Sequence, residues 1–210
     1  MKSFLAALLL AIATFADAAE IASPSQHLKL AIGADKTLAD YRQMKSYFQM
    51  LDAASPRVEI EVLGKTVLGE DLIMVLISSE ENIRDKAKIQ QIAKQLADPR
   101  GLSDAEIERL TRDGKAVVLV TCNIHSSEIA SSQMAMEWAH ALATAEDAET
   151  KRRLNDVVLL LVPSLNPDGQ IMITDYYRKY VGTKYEGGRL PWLYHHYVGH
   201  DNNRDWYMLT

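Results

Sequence analysis

Apolar residues recur along this chain at two spacings, and the changes between them lay out the elements. Leu38, Tyr41, Phe48 and Leu51 stand at helical spacing behind a Thr37-x-x-Asp40 cap. Ser55-Pro56 ends that helix, because the residue before a proline resists the α region. Val58, Ile60 and Val62 alternate with charged residues, which predicts a strand with one wet face. After a turn from Gly64 to Gly69, the apolar run from Leu72 to Ile77 predicts a second strand, and the two form a hairpin. Asn82 to Leu96 reads as helix, stopped by Asp98-Pro99-Arg100-Gly101. Ser103 and Glu106 make a capping box for a shorter helix that ends near Gly114.

The next run, Val117 to Val120, is β-branched, continuous and short, the pattern of a buried strand. The chain turns polar at Asn123, reads as helix from Ile129, and passes through an Ala-, Glu- and Thr-rich surface segment at 144–153. Val157 to Val162 then predicts a strand buried on both faces. A strand, a crossover helix and a second apolar strand make a βαβ unit. The fold class expected is therefore α/β, a mixed β-sheet flanked by helices. Beyond it, Asn166-Pro167-Asp168-Gly169 is punctuated as a turn, with Pro167 at i+1 and Gly169 at i+3. The stretch up to His200 has no clear periodicity. Its tyrosines and tryptophan argue against disorder and for a functional loop.

The N-terminus is of another kind. Lys2, the apolar stretch from Phe4 to Phe15 and Ala16-Asp17-Ala18 have the three parts of a secretory signal peptide, too short to span a bilayer. The expected organisation is a signal peptide at 1–18, an extended arm at 19–36 and a domain over 37–210. The protein is expected to be exported, periplasmic or extracellular, with no stable membrane insertion once the signal is removed. A formal net charge of -5 without long runs of one sign excludes a nucleic-acid surface. The lone Cys122 excludes an intrachain disulfide and reads as a small buried hydrophobe.

Candidate chemistry gathers where the Val117–Val120 strand ends. His125 and Glu128 stand there as H-x-x-E, at the strand-to-helix junction where open α/β sheets bind ligands. An imidazole and a carboxylate at that spacing can converge on one metal ion. The plainer reading is a polar helix start, with Glu128 favoured by the helix dipole. His140 reads as a packed or surface histidine, and His195, His196 and His200 as filling in an aromatic loop.

Three pieces in order, His125-Ser126-Ser127-Glu128, Asn166-Pro167-Asp168-Gly169 and Asn203-Arg204-Asp205-Trp206, resemble the zinc carboxypeptidase family, whose type member is pancreatic carboxypeptidase A. The likeness runs from about Tyr41 to the end. It implies Zn²⁺ as cofactor, with His125 and Glu128 as its first two protein ligands. It implies that Arg178 polarises the scissile carbonyl and that Asn203 and Arg204 grip the substrate's terminal carboxylate, which a guanidinium fork suits. The activity implied is zinc-dependent hydrolysis of the C-terminal peptide bond, on a peptide or protein substrate with a free C-terminus. Two alternatives stay open: a zinc amide hydrolase of the same superfamily acting on acylated amino acids, and a non-catalytic peptide-binding module. Ser127 stands where many relatives carry a substrate-binding arginine, and Arg189 competes with Arg178. The third zinc histidine, the capping tyrosine and the general-base glutamate lie later in relatives, so the domain is expected to continue past Thr210.

Overall fold

The computed structural model describes residues 20–208. The signal peptide read at 1–18 lies outside the described residues. Within them, four strands form one mixed sheet of order β1-β2-β4-β3: β1 (Val58–Lys65), β2 (Asp71–Ile77), β3 (Ala116–Thr121) and β4 (Val157–Val162). β1 and β2 are the expected antiparallel hairpin, with a register shift between Val62 and Gly64. β2 pairs antiparallel with β4, and β4 pairs parallel with β3 from Ala116↔Val157 to Thr121↔Val162.

The main core lies on one sheet face. Helix α2 (Tyr41–Ala54) buries Tyr41, Met44, Tyr47, Phe48 and Leu51 there, and α6 (Ile129–Thr144) adds Ala135, Met136 and Ala139. The first cap differs from expectation. Asp40, not Thr37, caps α2, because Asp40 and Gln43 bond each other's backbone N–H reciprocally while the Thr37 hydroxyl turns to the Asp35 carbonyl. The arm at 19–36 is not simply extended: Ser23 and Gln26 form a capping box for α1 (Pro24–Leu28), and Ile21, Leu28, Leu30 and Ile32 pack against the core.

The helical stretch expected at 82–96 is two helices, α3 (Glu80–Arg84) and α4 (Lys86–Ala97), which meet at Asp85. Ile89 and Ala93 of α4 border an apolar hollow on the other sheet face, with Met74, Leu76, Val158 and Leu160. The Ser103–Glu106 capping box starts α5 (Asp104–Asp113), which ends at Gly114 as read. The surface segment after α6 carries a further helix, α7 (Ala148–Asp156), which buries only Leu154.

β3 is a strand as read, but not a buried one. It is the sheet's edge among the described residues, and Val117, Val118 and Leu119 are exposed. β4 takes the central place and is buried on both faces, as expected of it. An apolar run records that a strand meets apolar neighbours, and it does not say whether both of its edges are paired.

The largest difference lies after β4. Asn166-Pro167-Asp168-Gly169 does not close a turn but opens a helix, α8 (Pro167–Tyr180), with Asn166 as its cap and Pro167 in the first turn. Its buried face carries Asp168, Gly169, Gln170 and Thr174, so there is no apolar stripe to show a helical period.

Candidate active site

Parallel pairing brings the C-terminal ends of β3 and β4 side by side. The ladder continues past them, since the Cys122 N–H donates to the Val162 carbonyl at 2.9 Å and the Leu165 N–H to the Cys122 carbonyl at 2.8 Å. Cys122 is buried there, and burial pushes its thiol above the ordinary value. Asn123 then adopts φ 54°, a left-handed conformation that asparagine tolerates better than most residues. Its side-chain amide donates to Ser164 Oγ and Gln170 Oε1, both at 3.1 Å, while its own N–H is held by Ser131 Oγ. The chain is thereby turned off the strand and delivered to His125.

His125 and Glu128 close a tight turn in which the Glu128 N–H donates to the His125 carbonyl at 2.9 Å. Glu128 occupies the cap position of α6, yet its carboxylate caps no helical N–H. It turns back instead, placing Oε1 2.9 Å from His125 Nδ1. On the other side of the ring, His125 Nε2 lies 3.0 Å from Asp201 Oδ1. Two carboxylates thus hold opposite nitrogens of one imidazole, and they raise its pKa above the usual histidine value, Glu128 contributing most.

Asp201 precedes a 3₁₀ turn (Asn202–Arg204) that leads into a last short helix, α9 (Asp205–Met208). Its Oδ1 also accepts from the Asn203 N–H and the Tyr194 hydroxyl, each at 2.9 Å. These donors, the Asn203 N–H foremost, hold its carboxyl down at about 2. Tyr194 packs edge-on against the His125 ring at 5.6 Å, and the Asn202 amide donates to the Ile124 carbonyl at 3.1 Å. Sequence reasoning missed Asp201 and Tyr194. The signal was present for Asp201, an acidic residue two places before the Asn203-Arg204 pair, but a carboxylate that orients a ligand has no spacing of its own to announce it.

The Asn166–Gly169 motif joins three segments around this point. The Asn166 amide donates to the Tyr194 carbonyl at 3.1 Å and lies 3.4 Å from that of Ile124. Buried Asp168 accepts from Thr66 Oγ1 at 2.6 Å and the Leu68 N–H at 3.1 Å, pinning the β1–β2 turn. Gly169 lets the Tyr194 backbone approach so closely that a Cβ would lie 2.1 Å from its carbonyl oxygen.

A cavity of about 530 Å³ opens beside the turn, lined among others by Asn123, Ile124, Glu128, Ser131, Asn203 and Trp206. Glu128 and Asn203 therefore share one hollow, and the His125 ring meets the Glu128 carboxylate beside it. Arg204 stays close by, 3.5 Å from Asp201 and largely exposed. Arg178 is placed elsewhere: its guanidinium donates to Asp40 at 2.8 Å, the Leu38 carbonyl at 2.9 Å and Gln43 at 2.7 Å, around the start of α2. His195 is buried with both ring nitrogens engaged, to the His200 carbonyl and the Tyr197 N–H. His140 binds the Ile21 carbonyl.

Two atoms at the Nδ1 side, His125 Nδ1 and Glu128 Oε1, are of the kinds that could hold a metal ion. His125 and Glu128 present a nitrogen and an oxygen together, and Asp201 holds the far N–H as the carboxylate behind a ligating histidine does. Among the described residues no group of three His, Cys, Asp or Glu converges to hold a metal, because Asp201 faces the opposite nitrogen. Asp201→Asn is therefore expected to weaken metal binding about 10–100-fold, read by competition with a chromophoric chelator. Unchanged affinity would mean that the carboxylate does not orient the ring.

The described residues thus form an α/β domain with a histidine clasped by two carboxylates at the end of a parallel strand pair. The chain is a member of the zinc carboxypeptidase family, whose sequence profile matches residues 44–209. Comparison with curated protein sequences gives no match. Among solved structures, thrombin activatable fibrinolysis inhibitor is 13% identical with a TM-score of 0.48, over 75% of this chain and 32% of its own. Carboxypeptidase A from Helicoverpa armigera is 19% identical with a TM-score of 0.44, over 70% and 31%. A metallo-carboxypeptidase from Burkholderia cenocepacia is 17% identical with a TM-score of 0.39, over 60% and 27%. The chain thus spans about a third or less of the length of each, and its family membership rests on the sequence profile.

Proposed function

We propose that this domain hydrolyses the C-terminal peptide bond of peptides or proteins in a zinc-dependent reaction. The observation that carries this reading is the His125 imidazole held between Glu128 and Asp201 beside a cavity that Glu128 and Asn203 line together. His125 Nδ1 and Glu128 Oε1 would hold the ion. When bound, zinc supplies Lewis acidity and brings the pKa of a bound water to about 7.

The chain's own groups do the rest. Asp201 keeps the His125 Nε2 proton in place, so Nδ1 is the ring nitrogen that would exchange its proton toward Glu128 for the ion. Asn203 lines the cavity, its amide oxygen accepting from the Trp206 indole N–H at 3.1 Å, and the Arg204 fork next to it in sequence matches a terminal carboxylate. In the same reading Arg178 donates to the scissile carbonyl oxygen, which requires it to leave its three acceptors at the start of α2. Export belongs to this proposal through the leader at 1–18. Among the described residues no helix is long and apolar enough to cross a membrane.

The test is hydrolysis of one peptide offered with a free and with an amidated C-terminus. Cleavage of the free form alone, abolished by a chelator, is the expected result. Cleavage of acylated amino acids in its place would establish the amide hydrolase instead. Zinc uptake and peptide binding without turnover would establish the binding module.

A further inference from the structure

A second cavity, of about 460 Å³, lies on the other side of the H-x-x-E turn. Ser127, Tyr176, Tyr180, Tyr185 and Arg189 are among its lining residues, and Ala130 lines both this cavity and the first. The tyrosines come from the second half of α8 and the loop after it. Their rings stand in a row, Tyr176 to Tyr180 at 4.9 Å and Tyr180 to Tyr185 at 6.1 Å. The backbone of Gly187 and Gly188 completes the wall.

Its polar groups are uncommitted. Among the described residues, Arg189 is the sole charged side chain lining the cavity, and it makes no hydrogen bond or ion pair. The hydroxyls of Tyr176, Tyr180 and Tyr185 likewise bond to no other described residue. Arg178, by contrast, is fully engaged with the start of α2. The carboxylate nearest in sequence, Glu186, is taken by Lys36 at 3.1 Å and the Gly182 N–H at 2.7 Å. Lys179 and Lys184 stand over the Tyr180 and Tyr185 rings at 5.2 and 5.0 Å, adding positive charge to these tyrosines. In a chain of net charge -5, this is a local excess of cations around aromatic walls.

We propose that this cavity is a subsite for an acidic side chain of the peptide substrate, on the amino-terminal side of the cleaved bond. The proposal rests on the function read above. With the terminal carboxylate against Asn203 in the first cavity and Arg204 next to it in sequence, a chain crossing the His125–Glu128 turn brings its preceding residues to the second. A guanidinium fork and phenol donors match a carboxylate, and the rings cover the methylenes that carry it. A neutral apolar side chain would cover the same groups and leave them without partners. Arg189 is thus a specificity-determining residue.

The test is a binding titration of the metal-free chain, in which no turnover intrudes, at low salt. The probes are acetyl-Glu-Glu-Leu and acetyl-Gln-Gln-Leu, each as free acid and as C-terminal amide. The wild-type chain is expected to bind the Glu free acid about tenfold more tightly than the Gln free acid. Arg189→Gln, an exposed substitution whose fold is checked by circular dichroism, should remove that difference, and Arg189→Glu should reverse it. Equal binding of the two free acids, or a Glu preference that survives Arg189→Gln, overturns the subsite. Failure to distinguish free acids from amides overturns the carboxypeptidase reading instead. Absence of binding by every probe overturns both.

Discussion

Replacing His125 with alanine is expected to abolish zinc-dependent hydrolysis and to lower metal affinity at least about 100-fold, more than the loss of an orienting carboxylate would cost. The substitution deletes the nitrogen that Glu128 faces at 2.9 Å and leaves that carboxylate with the His125 backbone N–H as its remaining contact. Asp201 keeps the Tyr194 hydroxyl and the Asn203 N–H, so the 3₁₀ turn retains its anchors. The fold should therefore survive, and near-ultraviolet circular dichroism should match the wild type. Glu128→Asp should weaken the metal as well, because the shorter carboxylate no longer reaches the Nδ1 side of the ring. A His125→Ala protein that takes up one zinc ion per chain with unaltered affinity would place the metal somewhere else.

The second large effect is structural. Gly169→Ala is expected to destabilise the domain by about 3 kcal/mol. Its Cβ would meet the Tyr194 carbonyl oxygen at 2.1 Å and the two terminal atoms of Asn166 at 2.5 and 2.6 Å. The nearest obstacle is backbone, and Asn166 is buried and already committed to capping α8, so neither can step aside cheaply. Relief must come from moving the Tyr194 loop, and with it the hydroxyl that holds Asp201. Urea denaturation reads the loss, and chelator competition should show a weaker metal site in the folded fraction. Gly199→Ala is the control: a Cβ there meets nothing within 4 Å, so its midpoint should stay near the wild type. A Gly169→Ala midpoint equal to that of Gly199→Ala would show that the Tyr194 loop yields freely.

These two residues also mark how far the sequence could be read. His125 and Glu128 were visible because a short apolar strand leads into them and a helix leads away, and the hairpin, the Ser103 box and the β3–α6–β4 crossover follow from equally local patterns. Helix α8 was hidden because, beyond Pro167 at its start, the residues it buries are Gln170, Thr174, Asp168 and Gly169. They are inside for their hydrogen bonds and their size, so hydrophobic spacing is blind to them. Asp168 in particular reads as a turn residue, yet it serves as an acceptor for a hairpin loop far away in the sequence. The edge position of β3 was equally beyond reach, since a run of valines is the same whether one side is paired or both. Asp201 and the unpaired Arg189 acquire meaning only once the segments bearing them lie against the turn at 125–128.

That both proposed metal-binding groups come from one tight turn has a consequence for how the ion relates to the domain's integrity. A cross-link constrains an unfolded chain according to the length of the loop it closes, and this loop is three residues long. Occupying the pair would then restrict almost nothing that the turn does not restrict already. The long-range tie that the ring itself makes is the bond from His125 to Asp201, across a separation of 76 residues. Its strength belongs to the protein with or without the ion. On the proposed reading, metal binding and this long-range cohesion are thus assigned to opposite nitrogens of the same ring.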